Sequence, residues 1–380
     1  MGTTKMGIRM MLTLTGAILA YLIGAGFASG QEIMQFFSGW GSIEAPFIIG
    51  VISFILMYST YTAYAYVGRT RGIADVQGIF EFYSGKTVSK FFMAFVWMYN
   101  FGCYVFMVSG FANTMHQQWG LAIPVGGAIA VVLSVGTAVL GLKKMVDIIG
   151  AVGPIIVGFS LFLGVVSAFH YYPLIAEGNA AINSGEVPVV RAGANVILSG
   201  LSYAGCCLLL VSAFIGRLGN DLRGYKFSYT KLILCGGSLI YIVCCIVLGL
   251  NHIGNIRVAA STAIPNLLLA NNIFGHMDAI FAVIILGAVY STMCPIIWTC
   301  VSTLIKDEKS LKYKLACVIG GISIYLVTLF IPYQTLLNKI MTYGGLCGAV
   351  TAIVCTVQYC IIRARDKREG FQDVTSVATE

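Results

Sequence analysis

Nine consecutive residues in the first apolar stretch, Gly24-Ala25-Gly26-Phe27-Ala28-Ser29-Gly30-Gln31-Glu32, combine three glycines with a carboxylate. Neither suits the middle of a plain membrane-crossing helix. Backbone that leaves the helix at membrane depth loses its internal hydrogen bonds, which is tolerated only where the freed groups face protein, water, an ion or a substrate. The run therefore predicts a broken helix, a binding-site signature in secondary transporters. A kink, or glycines that admit a neighbouring helix, is the alternative. A later span contains Ser199-Gly200-Leu201-Ser202-Tyr203-Ala204-Gly205, and a second interruption is expected there, near Ser202 to Gly205.

The elements that must position these residues are membrane helices. The chain has 380 residues, 58% of them hydrophobic and only 10% charged, with a mean hydropathy of +0.88. Its apolar runs are long enough to cross a hydrocarbon core of about 30 Å. Ten spans are expected, at about 10–38, 45–68, 88–115, 121–141, 145–170, 193–216, 229–252, 276–305, 312–331 and 334–362. The first has no convincing cleavage site, so the N-terminus is expected to be retained. The net charge of +8 is not a nucleic-acid signal, because its placement is topological. Twenty of the 23 Lys and Arg residues lie in one set of alternate loops and the two tails, Lys143, Lys144 and Lys306 among them. The opposite loops hold Arg191 and Arg257, and Lys339 lies inside the tenth span. The positive-inside rule then places both termini in the cytoplasm of a multi-pass cell-membrane protein.

All twelve cysteines fall within expected spans, so disulfides are not expected. The four histidines, His116, His170, His252 and His276, map to the outward helix ends, where an interfacial ring or an external pH sensor are both open readings. Spans one to five end near His170, a polar loop of about 171–192 follows, and five more spans run over about 193–362 before a tail at 363–380. Five is odd, so the second set enters from the opposite side, as in an inverted repeat within one transmembrane domain.

With these residues in view, the broken first helix, the glycine- and serine-rich sixth and the five-plus-five count resemble the LeuT-type fold of the amino acid–polyamine–cation superfamily. The nonapeptide followed by Ile33-Met34-Gln35-Phe36-Phe37 resembles the YkvI-type group of bacterial membrane proteins. The resemblance implies an all-α polytopic transporter with helices one and six discontinuous. It implies that backbone N–H groups of Gly24, Ala25 and Gly26 receive a substrate carboxylate, assisted by Tyr104 with Asn100 one turn before it. Phe27, Ser202 and Tyr203 would complete the pocket. A packed ring is the alternative for Tyr104. The lining contains no fixed charge, which fits a small neutral or hydrophobic amino acid or similar zwitterion. In sodium-coupled members one Na⁺ lies between helix one and helix eight, and Ala288-Val289-Tyr290-Ser291-Thr292 matches that pattern, with the carbonyls of Ala20 and Ile23 opposite. Bonds from Ser291 and Thr292 back to the preceding turn are the alternative. Glu32 and Lys339, both expected near the outer vestibule, resemble the external gate of the fold.

Enzyme chemistry has little support, since there is no HExxH, P-loop or GxSxG with triad partners, and no cofactor other than Na⁺ as coupling ion is implied. A small-molecule substrate and the lipid bilayer are the expected partners, with no nucleic acid. Proton-coupled amino acid transport, an ion channel, or a ligand sensor on the same fold remain alternatives.

Overall fold

A computed structural model describes residues 5–139, 153–274, 278–305 and 307–370. Lys143, Lys144, His276 and Lys306 lie outside the described residues. The first span is α1 (Ile8–Leu22), α2 (Ala25–Ser29) and α3 (Gln31–Ile33), the last widening into a π turn over Met34–Ser38. There follow α4 (Ala45–Arg71), α5 (Val76–Trp119), α6 (Ile123–Val139), α7 (Gly153–Tyr171) and α8 (Ile175–Asn183). The second half holds α9 (Val196–Asp221), α10 (Phe227–Gly254), α11 (Ile256–Ala259) and α12 (Pro265–Phe274). It ends with α13 (Asp278–Leu304), α14 (Leu311–Thr328) and α15 (Tyr333–Arg368). Seven of the described helices are long and apolar enough to cross a membrane. Together with α1 through the π turn, α6 and α7, they fall in the ten expected spans, of which 140–141, 145–152 and 276–277 lie outside the described residues. This is a polytopic helical membrane protein, and an unbroken membrane helix closes its own backbone hydrogen bonds away from water.

The alternate loops meet at opposite ends of the bundle, as ten crossings require. At the basic end, Arg71 forms a 2.7 Å ion pair with Asp366, Arg69 donates to the Leu222 carbonyl at 2.9 Å and Arg223 to that of Gly68 at 3.0 Å. At the other end, Arg191 donates to the Gly39 carbonyl at 2.6 Å. Arg257 bridges Glu177 at 2.5 Å and Glu186 at 2.6 Å, and those hydrogen bonds hold the Glu186 carboxyl below the usual carboxylate range.

The sixth span corrects one expectation. Val196–Asp221 is a single uninterrupted helix. Its small residues serve packing instead of a break. A Cβ on Gly205 would overlap the Gly345 carbonyl, and one on Gly219 would overlap that of Ala65, so α9 lies with its backbone directly against α15 and α4. Without a hydrophobic drive between helices in lipid, close backbone approach at small residues is what holds such pairs together. Ser202 adds hydrogen bonds to the carbonyls of Met341 (3.1 Å) and Thr342 (2.8 Å) on α15.

Candidate functional site

Helix one is interrupted twice. Ile23 (ψ 82°) and Gly24 (φ −97°, ψ −166°) leave helical geometry, and the Gly24 N–H turns back to the Leu22 carbonyl at 3.0 Å. The carbonyls of Ala20 and Ile23 are thereby released from the helical ladder. One turn later Gly30 adopts φ +84°, a conformation that costs any residue with a Cβ about 1–2 kcal/mol. The chain doubles back there, and Glu32 returns to α2 instead of pointing along the helix.

That reversal places the carboxylate at the break. A Cβ on Gly26 would collide with Glu32 Oε2, so a side chain at 26 would displace the carboxylate from its present position. Tyr203 on α9 donates to Glu32 Oε1 at 2.7 Å. The Tyr241 hydroxyl on α10 lies 3.3 Å from the same oxygen and 2.7 Å from the Tyr203 hydroxyl. Cys245 Sγ is 3.2 Å from Tyr203 Oη. Around them Phe27 lies against Tyr241 with ring centroids 5.5 Å apart, and Phe36 and Phe37 pack on Tyr203 at 5.2 and 4.9 Å.

The second interruption is braced from α12. Asn266 Nδ2 donates to the carbonyls of Phe27 (3.0 Å) and Ala28 (3.2 Å), capping the open end of α2. Its Oδ1 lies 2.9 Å from Nε2 of buried His252. Ser29 bonds the Tyr333 hydroxyl on α15 at 3.0 Å. His252 is therefore not the interfacial ring expected from its place at a helix end; it is fully buried.

Of the residues singled out in the sequence, Gly24, Ala25, Gly26, Phe27, Glu32 and Tyr203 come together at the break. Thr292 joins them, its Oγ1 3.9 Å from where a Gly24 Cβ would stand. Ser291 and Thr292 both donate to the Ala288 carbonyl at 2.9 Å. Tyr104 is turned away, its hydroxyl 2.6 Å from Ser134 on α6, and it lines an apolar cleft of about 130 Å³ with Trp97, Phe101 and Ile297. Asn100 is buried on α5 one turn earlier, and Ser202 faces α15. Glu32 and Lys339 are not a pair. Glu32 is turned inward, while Lys339 is exposed, its ammonium 5.8 Å from the Tyr343 ring centroid. Helix one meets α15 there through neutral bonds, Gln35 to the Gln334 carbonyl at 3.2 Å and Asn338 to Gln35 at 3.0 Å.

Sequence reasoning missed Tyr241, Asn266 and Tyr333, and placed His252 at an outward helix end without connecting it to the break. Each lies far along the chain from helix one, in a stretch with no motif, and only the fold brings it to the break.

No protein-family model matches the chain. In sequence it is similar to the uncharacterized membrane protein YkvI of Bacillus subtilis, 25% identical over 224 residues. That match spans 58% of this chain and 60% of the relative's length. In structure it is similar to a mutant of the Eremococcus coleocola manganese transporter, at 12% identity and a TM-score of 0.52, over 98% of this chain and 91% of that one. The same transporter in complex with an aromatic bis-isothiourea compound matches over the same shares of the two chains at 15% identity and a TM-score of 0.50. The chain is thus a polytopic membrane protein similar to YkvI, on an all-helical fold like that of the manganese transporter.

Proposed function

We propose that this chain is a secondary active transporter of the cell membrane, with both termini in the cytoplasm. It carries a small neutral or hydrophobic amino acid or a similar zwitterion by alternating access, in symport with Na⁺, and performs no chemical conversion. The observation that carries this reading is the doubly interrupted first helix, whose freed backbone and buried side chains meet α9, α10 and α13 at one point. Irregular backbone at membrane depth is tolerated only where it is buried in protein or lines a cavity, and in secondary transporters such breaks form the substrate and ion sites. Gly24, Ala25, Phe27 and Tyr203 are the substrate contacts in this reading. The ion lies between the carbonyls of Ala20 and Ile23 and the hydroxyls of Ser291 and Thr292. The bonds those hydroxyls donate to Ala288 are compatible with this, because a hydroxyl that donates its proton keeps lone pairs for a hard cation.

Glu32 favours a second reading, proton coupling, since a buried carboxylate held only by hydroxyls can exchange a proton during the cycle. Uptake of labelled amino acids into proteoliposomes, with imposed Na⁺ or proton gradients, separates the two. Sodium symport requires concentrative uptake that is lost in K⁺ or choline medium. It also requires a higher Na⁺ demand when Ser291 and Thr292 are both replaced by Ala. Uptake that follows the proton gradient alone removes the sodium assignment. Binding without flux points to a sensor, and ohmic current to a channel.

A further inference from the structure

The break carries unpaired hydrogen-bond acceptors, beside the first N–H groups of α2. Glu32 Oε1 is held by the tyrosine hydroxyls, whereas Oε2, over the Gly26 backbone, accepts no hydrogen bond among the described residues. No Lys, Arg or His among those residues pairs with the carboxylate. Glu32 keeps 7% of its surface accessible, and Oε2 is not among the fully buried polar atoms left without a partner. The Gln31 side-chain oxygen, one residue earlier, is buried with no partner, and the carbonyls of Ala20 and Ile23 have left the helical ladder. Aromatic faces of Phe27, Tyr203 and Tyr241 form the walls.

A carboxylate removed from water without a counter-charge is strongly destabilised, so this arrangement persists only with a bound proton or a cation. A substrate carboxylate at Gly26 would meet Glu32 Oε2 and be repelled. An ammonium group brings up to three donors and a positive charge to a place that offers acceptors, and aromatic faces favour cations further.

We propose that Glu32 Oε2 is the seat of a substrate ammonium group, so that the solutes recognised are primary amines and amino acids held by their nitrogen, with the carboxylate dispensable. The proposal rests on the transporter reading only for what happens to the bound molecule. Tyr203 and Tyr241 act as positioning residues that hold Oε1 and leave Oε2 to the ligand.

Three probes test it on the purified full-length protein in amine-free buffer: leucine, leucinamide, which keeps the ammonium and lacks the carboxylate, and N-acetylleucine, which has the reverse. Leucinamide is expected to raise the melting temperature of the wild type, with a Kd within about tenfold of leucine's, and N-acetylleucine to leave it unchanged. Glu32→Gln, nearly isosteric, is expected to weaken leucinamide at least about tenfold, and Tyr241→Phe to weaken it less. Protection by N-acetylleucine, equal leucinamide affinity in Glu32→Gln, or no protection by leucinamide overturns the proposal, as does a full Glu32-dependent shift from Na⁺ alone. The wild-type pattern across the probes decides the matter if Glu32→Gln fails to fold. Vesicle flux separates this from the transporter reading. Leucinamide binding that needs Glu32, without uptake of any probe, leaves the seat standing and removes transport, whereas uptake with the N-acetylleucine pattern does the opposite.

Discussion

Replacing Asn266 by Ala tests whether the second interruption of helix one is held from outside. The side chain is the only hydrogen-bond partner of the Ala28 carbonyl among the described residues, and one of two for the Phe27 carbonyl, which also accepts from Gly30 N at 3.0 Å. Leaving Ala28 with an orphaned buried acceptor costs about 1–3 kcal/mol, and the lost bond to Phe27 a further 0.5–1.5 kcal/mol or so. His252 Nε2 loses its partner as well, in a ring whose Nδ1 already has none. The sum is about 3 kcal/mol, close to a hundredfold in the opening equilibrium of the segment, since each 1.4 kcal/mol is about tenfold. Hydrogen exchange of the purified protein is the direct assay. Peptides covering 24–34 should lose about two decades of protection in Asn266→Ala, while peptides from α4 and α9 change little, because the loss is local. Unchanged exchange over 24–34 would refute the capping argument and show that α2 is held by its packing on α5 and α13 alone.

Two further outcomes follow from other parts of the fold. Gly205→Leu should prevent correct packing of α9 on α15, because a Cβ there already overlaps the Gly345 carbonyl; monodisperse protein with a wild-type melting temperature would contradict the continuous-helix explanation. At the end of the bundle opposite the basic loops, Glu186 is held low by Arg257. The bond between Arg257 and Glu186 is therefore complete above the ordinary carboxylate range and is lost as pH falls through the lowered Glu186 value. Limited proteolysis over 175–190 should accelerate as pH falls below the ordinary carboxylate range and in high salt, and Arg257→Gln should show the fast rate at neutral pH; a wild-type rate independent of both pH and salt would discard the clamp.

The number of spans, their alternation and the first break were legible because each rests on a local signal: apolar length, loop charge, and glycines beside a carboxylate in one short run. The sixth span shows where such signals become ambiguous. Gly200, Ser202 and Gly205 have the composition of a break, but the same small side chains are what a tightly packed helix requires, and the choice depends on whether another backbone is in reach. Here Gly345 and Gly348 of α15 are, and the helix stays whole.

Glu32 shows a different limit. Counted along an ideal helix from Gly24, at 1.5 Å per residue, it lies two turns away, on the way to the vestibule and to Lys339. That distance assumes the helix continues. The left-handed turn at Gly30 cancels it and sends the carboxylate back to Gly26, so a residue expected to close the site from outside belongs instead to its lining. The same glycines that announced a break also made any distance measured across it unreliable. The charge balance expected of the pocket changes with it, because the apolar lining that argued for a neutral solute now includes the one carboxylate on helix one. Tyr203 reaches the same carboxylate from the unbroken α9, where helical spacing still measures position.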